Sequence, residues 1–268
     1  MSADKARKGA VRAADIPVKV LEGLNNGTLE SVNLTEWLVV DGLKLLTVLL
    51  PTWKLKRADD VLEVAQEVVG LGVMQRTERV ALALAAANVN LEVLAKHPSD
   101  TVRCWAAYIA INRAVHPNTG DSETALEAIK PFAADSHFGV REIAWMAWRP
   151  LLAAKLEPGI KLLEKWTKSD DANVRRFASE ASRPRGVWCA HIQALREQPE
   201  LALRILEPLR SDPNRYVQTS VANWLNDASK SQSAWVERLC ERWLEESPTT
   251  ETGWMVNHAL RSLRKAKA

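Results

Sequence analysis

Between Arg175 and Trp188 the chain reads RRFASEASRPRGVW, residue types that set one carboxylate among several cations. Val174, Phe177, Ala178 and Ala181 follow the i, i+3, i+4, i+7 spacing of a buried helical face, while Arg176, Glu180 and Arg183 fall together on another. Pro184 keeps the helix from running past Arg183, so Arg183, Arg185 and Trp188 gather near its C-terminal end. A carboxylate held among guanidinium groups beside an aromatic ring reads as an active site. The plainer alternative is an exposed i, i+4 Arg176–Glu180 link, contributing roughly a few tenths of a kcal/mol.

These residues are carried by a repeat. From about residue 90 a phrase recurs in which a polar cap is followed by Val, a polar residue, and an alanine four positions after the Val. It runs SDTVRCWAA from Ser99, DSHFGVREIAWMA from Asp135, SDDANVRRFASEA from Ser169 and SDPNRYVQTSVA from Ser211, with a looser ETGWMVNHAL from Glu251. The anchors Val102, Val140, Val174, Val217 and Met255 lie 38, 34, 43 and 38 residues apart, the period of HEAT-type helical hairpins. First helices are expected over Thr124 to Phe132, Leu156 to Trp166, Leu201 to Leu209 and Ala234 to Glu245, each followed by the helix that carries the phrase. The fold expected is all-α, a right-handed α-α superhelix built as a single repeat domain over 16–268, with a concave face.

Positions two, six and ten residues after each anchor share one helix stripe, which stacking aligns into a single surface. The stripe reads Cys104, Tyr108, Asn112; Glu142, Met146; Arg176, Glu180; Thr219, Asn223, Asp227; and Asn257, Arg261, Lys265. Glu142, Glu180 and Asp227 thus come from three repeats to one face. Arg103, Arg141, Arg149, Arg175, Arg183, Arg185, Arg215, Arg261, Arg264, Lys265 and Lys267 flank it. Such a surface can cradle a phosphate backbone around a reaction centre, or be the solvated face of a protein-binding solenoid. Trp145 and Trp148, near Glu142 on its helix, could partly desolvate that carboxyl. Asp227 could instead cap a turn, and Trp188 could be a core residue.

The rest of the sequence narrows the classes. Lys and Arg number 36 against 33 Asp and Glu, so any nucleic-acid footprint comes from charge placement rather than total charge. Cys104, Cys189 and Cys240 form no C-x-x-C pair, and His97, His116, His137, His191 and His258 lack metal-ligand spacing, so neither a metal nor another cofactor is expected. There is no phosphate-binding Gly-rich loop, dinucleotide fingerprint or G-x-S-x-G elbow. No apolar run marks a leader or a membrane span, and a reducing cytoplasm is the expected compartment. Most of the eleven tryptophans are expected to fill helix interfaces. Residues 1–15 read as a flexible basic tail, and residues 16–89 as N-terminal helices over Pro17 to Leu24, Leu34 to Leu50 (ended by Pro51), Ala58 to Val69 and Thr77 to Ala87.

RFASEASRPRGVW (Arg176 to Trp188), YVQTSVANWLNDASK (Tyr216 to Lys230) and WMVNHALRSLRK (Trp254 to Lys265) together resemble the HEAT-like-repeat DNA glycosylases of the DNA alkylation repair family, in particular its AlkC branch. Weaker similarity runs through HPSDTVRCWAA, FGVREIAWMAWRP and LNNGTLESVNLTEWL, covering nearly the whole chain. The resemblance implies a monofunctional enzyme, a monomer on duplex DNA, that excises positively charged N-alkylated bases without flipping them. The lesions implied are 3-methyladenine foremost, then 3-methylcytosine and 1-methyladenine. Glu180, Trp188, Asp227 and Glu142 are the catalytic group it implies; Arg141, Arg149, Arg176, Arg183, Arg185, Asn223, Arg261 and Lys265 are placed at the DNA. Longer members of the branch carry an immunoglobulin-like domain after the repeats, and this sequence reads as the form without it. The alternative is a non-catalytic repeat scaffold that binds DNA or protein through the same face.

Overall fold

A computed structural model describes residues 7–115 and 122–267, with side chains to residue 265; His116 lies outside them. Among the described residues the fold is all-α, without strands. Helices α1 (Val18–Asn25), α2 (Leu34–Leu38), α3 (Gly42–Trp53), α4 (Ala58–Glu67), α5 (Val73–Ala86), α6 (Leu91–Ala95) and α7 (Asp100–Ala114) lead to α8 (Ser122–Ala133) and α9 (Phe138–Ala154). Then follow α10 (Leu156–Trp166), α11 (Ala172–Ala181), α12 (Gln193–Glu197), α13 (Leu203–Leu206), α14 (Arg215–Ser229), α15 (Ser233–Glu246), α16 (Thr250–Ala259) and α17 (Arg261–Lys267). The chain divides into two compact units, one of residues 1–121 with 136–144, the other of 122–135 with 145–268. The division falls inside α9, within the stretch that the repeat phrase groups as one domain.

The repeat phrase has a direct structural meaning. Val102, Val140, Val174, Val217 and Met255 are all buried, and so are the small residues one helical turn later, Ala106, Ala144, Ala178 and Ala259. The fourth copy departs from the phrase, with Val221 at that position and Ala222 beside it, both fully buried. Small residues there let second helices approach closely: in the second unit α11 packs on α14, and α14 on α16. The first helices back them, α10 against α11 and α15 against α14 and α16. Side-chain caps come from Asp171 for α11 and Asn214 for α14, each accepting from the second backbone N–H beyond it.

The residue after each anchor carries a signal that the sequence reading assigns differently. Arg103, Arg141 and Arg175 read as cations flanking the binding face, yet each folds back onto the loop before its own helix. Arg103 Nη1 donates to the carbonyls of His97 and Pro98, Arg141 Nη1 to that of Ser136, and Arg175 Nη1 to those of Ser169 and Asp170. Gln218 does the same, donating to the Asp212 carbonyl. Inter-repeat turns must satisfy their carbonyls, and a long donor beside the buried anchor reaches them. Arg175 also forms a bidentate pair with the buried Asp212 carboxylate, at 2.6 and 3.0 Å, and its own pKa is raised by that bond.

Other boundaries move for local reasons. The single helix expected over Leu34 to Leu50 is two helices, because Asp41 caps a new start by accepting from Lys44 N at 3.1 Å. Pro51 does not end α3, which continues to Trp53 and stops at Lys54 in the left-handed region, φ 51°. The first helix expected over Leu201 to Leu209 is a run of short 3-10 and α turns around α13. Residues 7–15, read as part of a flexible tail, are anchored: Arg7 pairs with the buried Glu36 at 2.5 Å, and Asn33 and Thr35 donate to the carbonyls of Ala10 and Val11. Tryptophans do fill helix interfaces, with Trp148, Trp224 and Trp243 fully buried and their indole N–H groups on Ser122 O, Ser182 O and the Glu207 carboxylate. No helix among the described residues is long and apolar enough to cross a membrane.

The Arg175–Asp212 pair offers a stability test. Arg175→Ala leaves the Asp212 carboxylate buried without its guanidinium and is expected to cost about 3 kcal/mol in urea unfolding. Lys96→Ala, which removes an exposed i, i+4 pair with Glu92, is expected to leave the urea midpoint indistinguishable from that of the parent.

Candidate active site

The site is built in the second unit from the facing helices α11 and α14. Glu180, in the last turn of α11, and Asp227, near the end of α14, are 3% and 5% exposed. Two carboxylates buried this deeply need cations, and one guanidinium serves both. Arg183 donates through Nη1 to Glu180 Oε1 at 2.6 Å, and through Nε and Nη2 to Asp227 Oδ2 at 2.9 and 2.6 Å. Its position follows from the sequence: α11 stops just before Pro184, so Arg183 leaves the helix axis and turns toward α14.

Each acid has further partners. Glu180 Oε2 accepts from Ser220 Oγ at 2.5 Å and faces Arg176 Nη2 at 3.5 Å. Ser220 is in turn 2.7 Å from Ser179 Oγ. Asp227 Oδ1 accepts from Lys230 Nζ at 3.0 Å, while its backbone carbonyl accepts from Arg185 Nε at 3.2 Å. Burial alone would raise the Glu180 carboxyl pKa, but Arg176, Arg183 and the Ser220 hydroxyl outweigh it and hold it below its ordinary range. Burial likewise opposes the charge on Arg183, and the two carboxylates reverse that, raising its pKa.

The loop after α11 is pinned by Arg149. The sequence places this residue at the DNA, but it is 3% exposed and donates to three carbonyls: Nη1 to Ala181 at 2.7 Å, Nη2 to Arg183 at 2.6 Å and Nε to Ala190 at 3.1 Å. It ties the end of α11 to the return of the loop, and burial lowers its pKa. Pro184 O accepts from Ile192 N, and Trp224 Nε1 donates to Ser182 O at 2.9 Å, closing the same turn. Gly186 is required within it: a Cβ there would lie 2.2 Å from Cys189 Sγ. The loop presents Trp188 in the left-handed region, φ 63°, with 49% of its surface exposed. A tryptophan held in a conformation that favours glycine carries backbone strain that the surrounding loop must sustain.

The remaining expected residues divide clearly. Arg176 is buried with its guanidinium 4.2 Å over the Tyr216 ring, and Arg183 is occupied by both acids, so these two, like Arg149, serve the site from within. Asn223 Oδ1 accepts from Arg261 Nη2 at 2.8 Å, and Arg261 Nη1 donates to His258 O, which places both on the rim beside Asp227. Lys265 is exposed near the end of α17. Glu142 and Arg141 lie on α9, in the part that belongs to the first unit. Ser220, Ser179 and Lys230 are site residues that the sequence reading does not single out; Ser220 lies off the stripe, three residues after its anchor. Among the described residues no group of three His, Cys, Asp or Glu side chains could hold a metal ion.

Comparison with known proteins places this geometry. A family model described as DNA alkylation repair enzyme matches residues 66–263. YhaZ of Bacillus subtilis (strain 168), described as uncharacterized, is 38% identical over 139 residues, a match covering 52% of this chain and 38% of that protein. The Pseudomonas fluorescens alkylpurine DNA glycosylase AlkC, in its structure bound to DNA containing an abasic site analog, aligns at 27% identity and a TM-score of 0.65. That alignment covers 96% of this chain and 66% of the glycosylase chain, so this chain spans less than two thirds of either relative. AlkD2 from Streptococcus mutans aligns at 19% identity and a TM-score of 0.57, over 75% of this chain and 95% of that one, and shares the fold.

The depressed Glu180 pKa has a consequence for stability. An unfolded Glu titrates near about 4.3, so its contribution is fully present above that pH and is lost as pH falls through it toward the lower folded-state value. Urea unfolding between neutral pH and about pH 3 is expected to show a smaller acid loss of stability for Glu180→Gln than for the parent. Identical pH slopes would mean that the buried carboxylate is not held ionised.

Proposed function

The chain belongs to the DNA alkylation repair enzyme family, and on that footing we propose that it is a DNA glycosylase acting on cationic N-alkylated bases in duplex DNA. The observation that carries the reading is the pair of buried carboxylates, Glu180 and Asp227, joined by Arg183 beside a displayed Trp188. The substrates proposed are 3-methyladenine foremost, with 3-methylcytosine and 1-methyladenine.

Alkylation at a ring nitrogen makes the base a cation, so its departure needs no proton from the protein. The N-glycosidic bond breaks with both electrons passing to the base, which leaves neutral, and positive charge develops on the deoxyribose. Water then forms the new bond to C1′ and gives up a proton. A site for this reaction must place negative charge at the sugar and align the water. Glu180 and Asp227 supply both, and the cations around Glu180 keep it ionised before DNA arrives. Trp188 packs against the sugar or backbone from outside. Chemistry directed at the deoxyribose asks nothing of a pocket for the base, which fits removal without flipping.

Phosphates would be held by Arg185, Arg261 and Lys265, the expected cations of this unit that are not enclosed within the carboxylate cluster. Arg185 uses only Nε on Asp227 O, and Arg261 sits on the rim. Arg176 and Arg183 set carboxylate charge and position, a different task from binding the backbone.

Purified protein incubated with methylated duplex DNA is expected to release 3-methyladenine, identified by mass. Glu180→Gln should slow single-turnover release by at least about 100-fold while DNA affinity stays within about two-fold. Release by the variant at the parent rate would remove Glu180 from the chemistry. Absence of any released base, with DNA binding intact, would replace the enzyme by a binding module.

Backbone contacts have their own signature. Lys265→Ala is expected to weaken DNA binding alike on alkylated and plain duplex and to reduce the log–log salt slope by about one. Glu180→Gln should leave that slope unchanged.

A further inference from the structure

The first unit contains a cavity of about 360 Å³ between α2, the start of α3, the end of α4 and the first turns of α5 and α7. That volume lies within the range of small-molecule sites, roughly 300–1,000 Å³. Its walls are mixed, with Trp37 and Trp105 the two aromatic surfaces, Val68 and Val80 among the aliphatic ones, and Asp41, Thr77 and Thr101 among the polar ones. Nothing in the proposed glycosylase reaction uses it.

One charge in the lining is unspent. The side chain of Arg76, half-buried in the first turns of α5, has no hydrogen bond, ion pair or ring contact among the described residues. Two of the other polar side chains are committed: Thr77 Oγ1 donates to Val73 O at 2.8 Å, and Asp41 accepts from Lys44 N and pairs with Lys44 Nζ at 3.5 Å. The cavity also meets the N-terminal turns of α3, α5 and α7, whose dipoles add positive potential. A cation beside aromatic and aliphatic surfaces, with the lining acid Asp41 already paired to Lys44, selects one negative group on a body that offers apolar surface. A single guanidinium suits a carboxylate, whereas a phosphate dianion would bring more charge than one cation can compensate away from water.

We propose that this cavity binds a small carboxylate with an apolar body, the body against the aromatic and aliphatic side chains of the lining and the charge on Arg76. The site is independent of the carboxylate cluster of the second unit. Recognition rests on one ion pair plus buried apolar area, so ligand charge and cavity volume should be separable.

The test is a titration of the full chain with naphthoate and with neutral naphthylmethanol, following the indole N–H resonances of all the tryptophans by NMR. The expected result is saturable movement of the Trp37 and Trp105 signals, with the alcohol roughly ten-fold weaker than the acid. Arg76→Met should make the two ligands bind equally. Val73→Trp, at a partly exposed lining position, should abolish both while the melting temperature stays at the parent value. No saturation at Trp37 and Trp105, equal affinity for acid and alcohol in the parent, or undiminished binding to a folded Val73→Trp protein would each overturn the proposal. If Val73→Trp does not fold, Arg76→Met decides: retention of the acid preference in that variant overturns the proposal.

Discussion

Two carboxylates taken out of water on facing helices are unstable unless opposite charge goes with them, and the second unit is organised by that constraint. Arg183 is the common solution, one planar fork reaching Glu180 on its own helix and Asp227 across the interface. Its reach depends on α11 ending where it does. A further helical turn would keep Arg183 on the α11 stripe, away from Asp227, and leave that acid to Lys230 alone. Pro184 therefore does more than stop a helix, since it brings a cation to the point where two acids converge.

The same turn explains why a third arginine is buried with no acid bonded to it. Arg149 donates to three carbonyls that the loop leaves without secondary-structure partners. Those carbonyls belong to residues on both sides of Trp188, so the aromatic side chain is displayed from a loop whose two ends are tied to one guanidinium. Holding a tryptophan at φ 63° costs about 1–2 kcal/mol of backbone preference. That cost is sustained by the Arg149 bonds, the Trp224 bond to Ser182 O and the tight fit at Gly186. Rigidity and display have the same cause, which is how a reactive surface is kept preorganised rather than recruited by induced fit.

Periodicity carries information about packing and very little about where a long side chain ends. The anchors and the alanines after them are readable because burial at a helix interface restricts residue size, so Val102, Val140, Val174, Val217 and Met255 announce the core directly. The stripe two, six and ten positions beyond likewise identifies Glu180 and Asp227 as neighbours across helices. Arginine resists this reading. Arg103, Arg141 and Arg175 look like a basic face, yet their side chains span more than a helical turn and return to the loop carbonyls before them. Arg149 looks like a phosphate contact and is an internal tie. Ser220 is invisible for the converse reason, since a small hydroxyl at a buried position reads as packing until its distance to Glu180 is known. The break at Asp41 and the anchoring of Arg7 on Glu36 are cap and pair geometries that no period encodes.

Sorting the arginines by what they touch also sharpens the chemistry. A basic groove with every cation facing outward would bind DNA tightly and leave buried acids protonated, since burial alone raises a carboxyl pKa. This unit divides the labour. Arg176 and Arg183 face inward and keep Glu180 ionised, Arg149 holds the loop, and Arg185, Arg261 and Lys265 remain nearer the rim. On the proposed reading the two functions vary separately, because losing a rim cation would change the affinity for the DNA backbone while losing an inner one would change the charge state of Glu180. On the proposed reaction, the negative charge that a developing sugar cation requires is installed when the chain folds, and α11, α14 and the loop between α11 and α12 are arranged to keep it there.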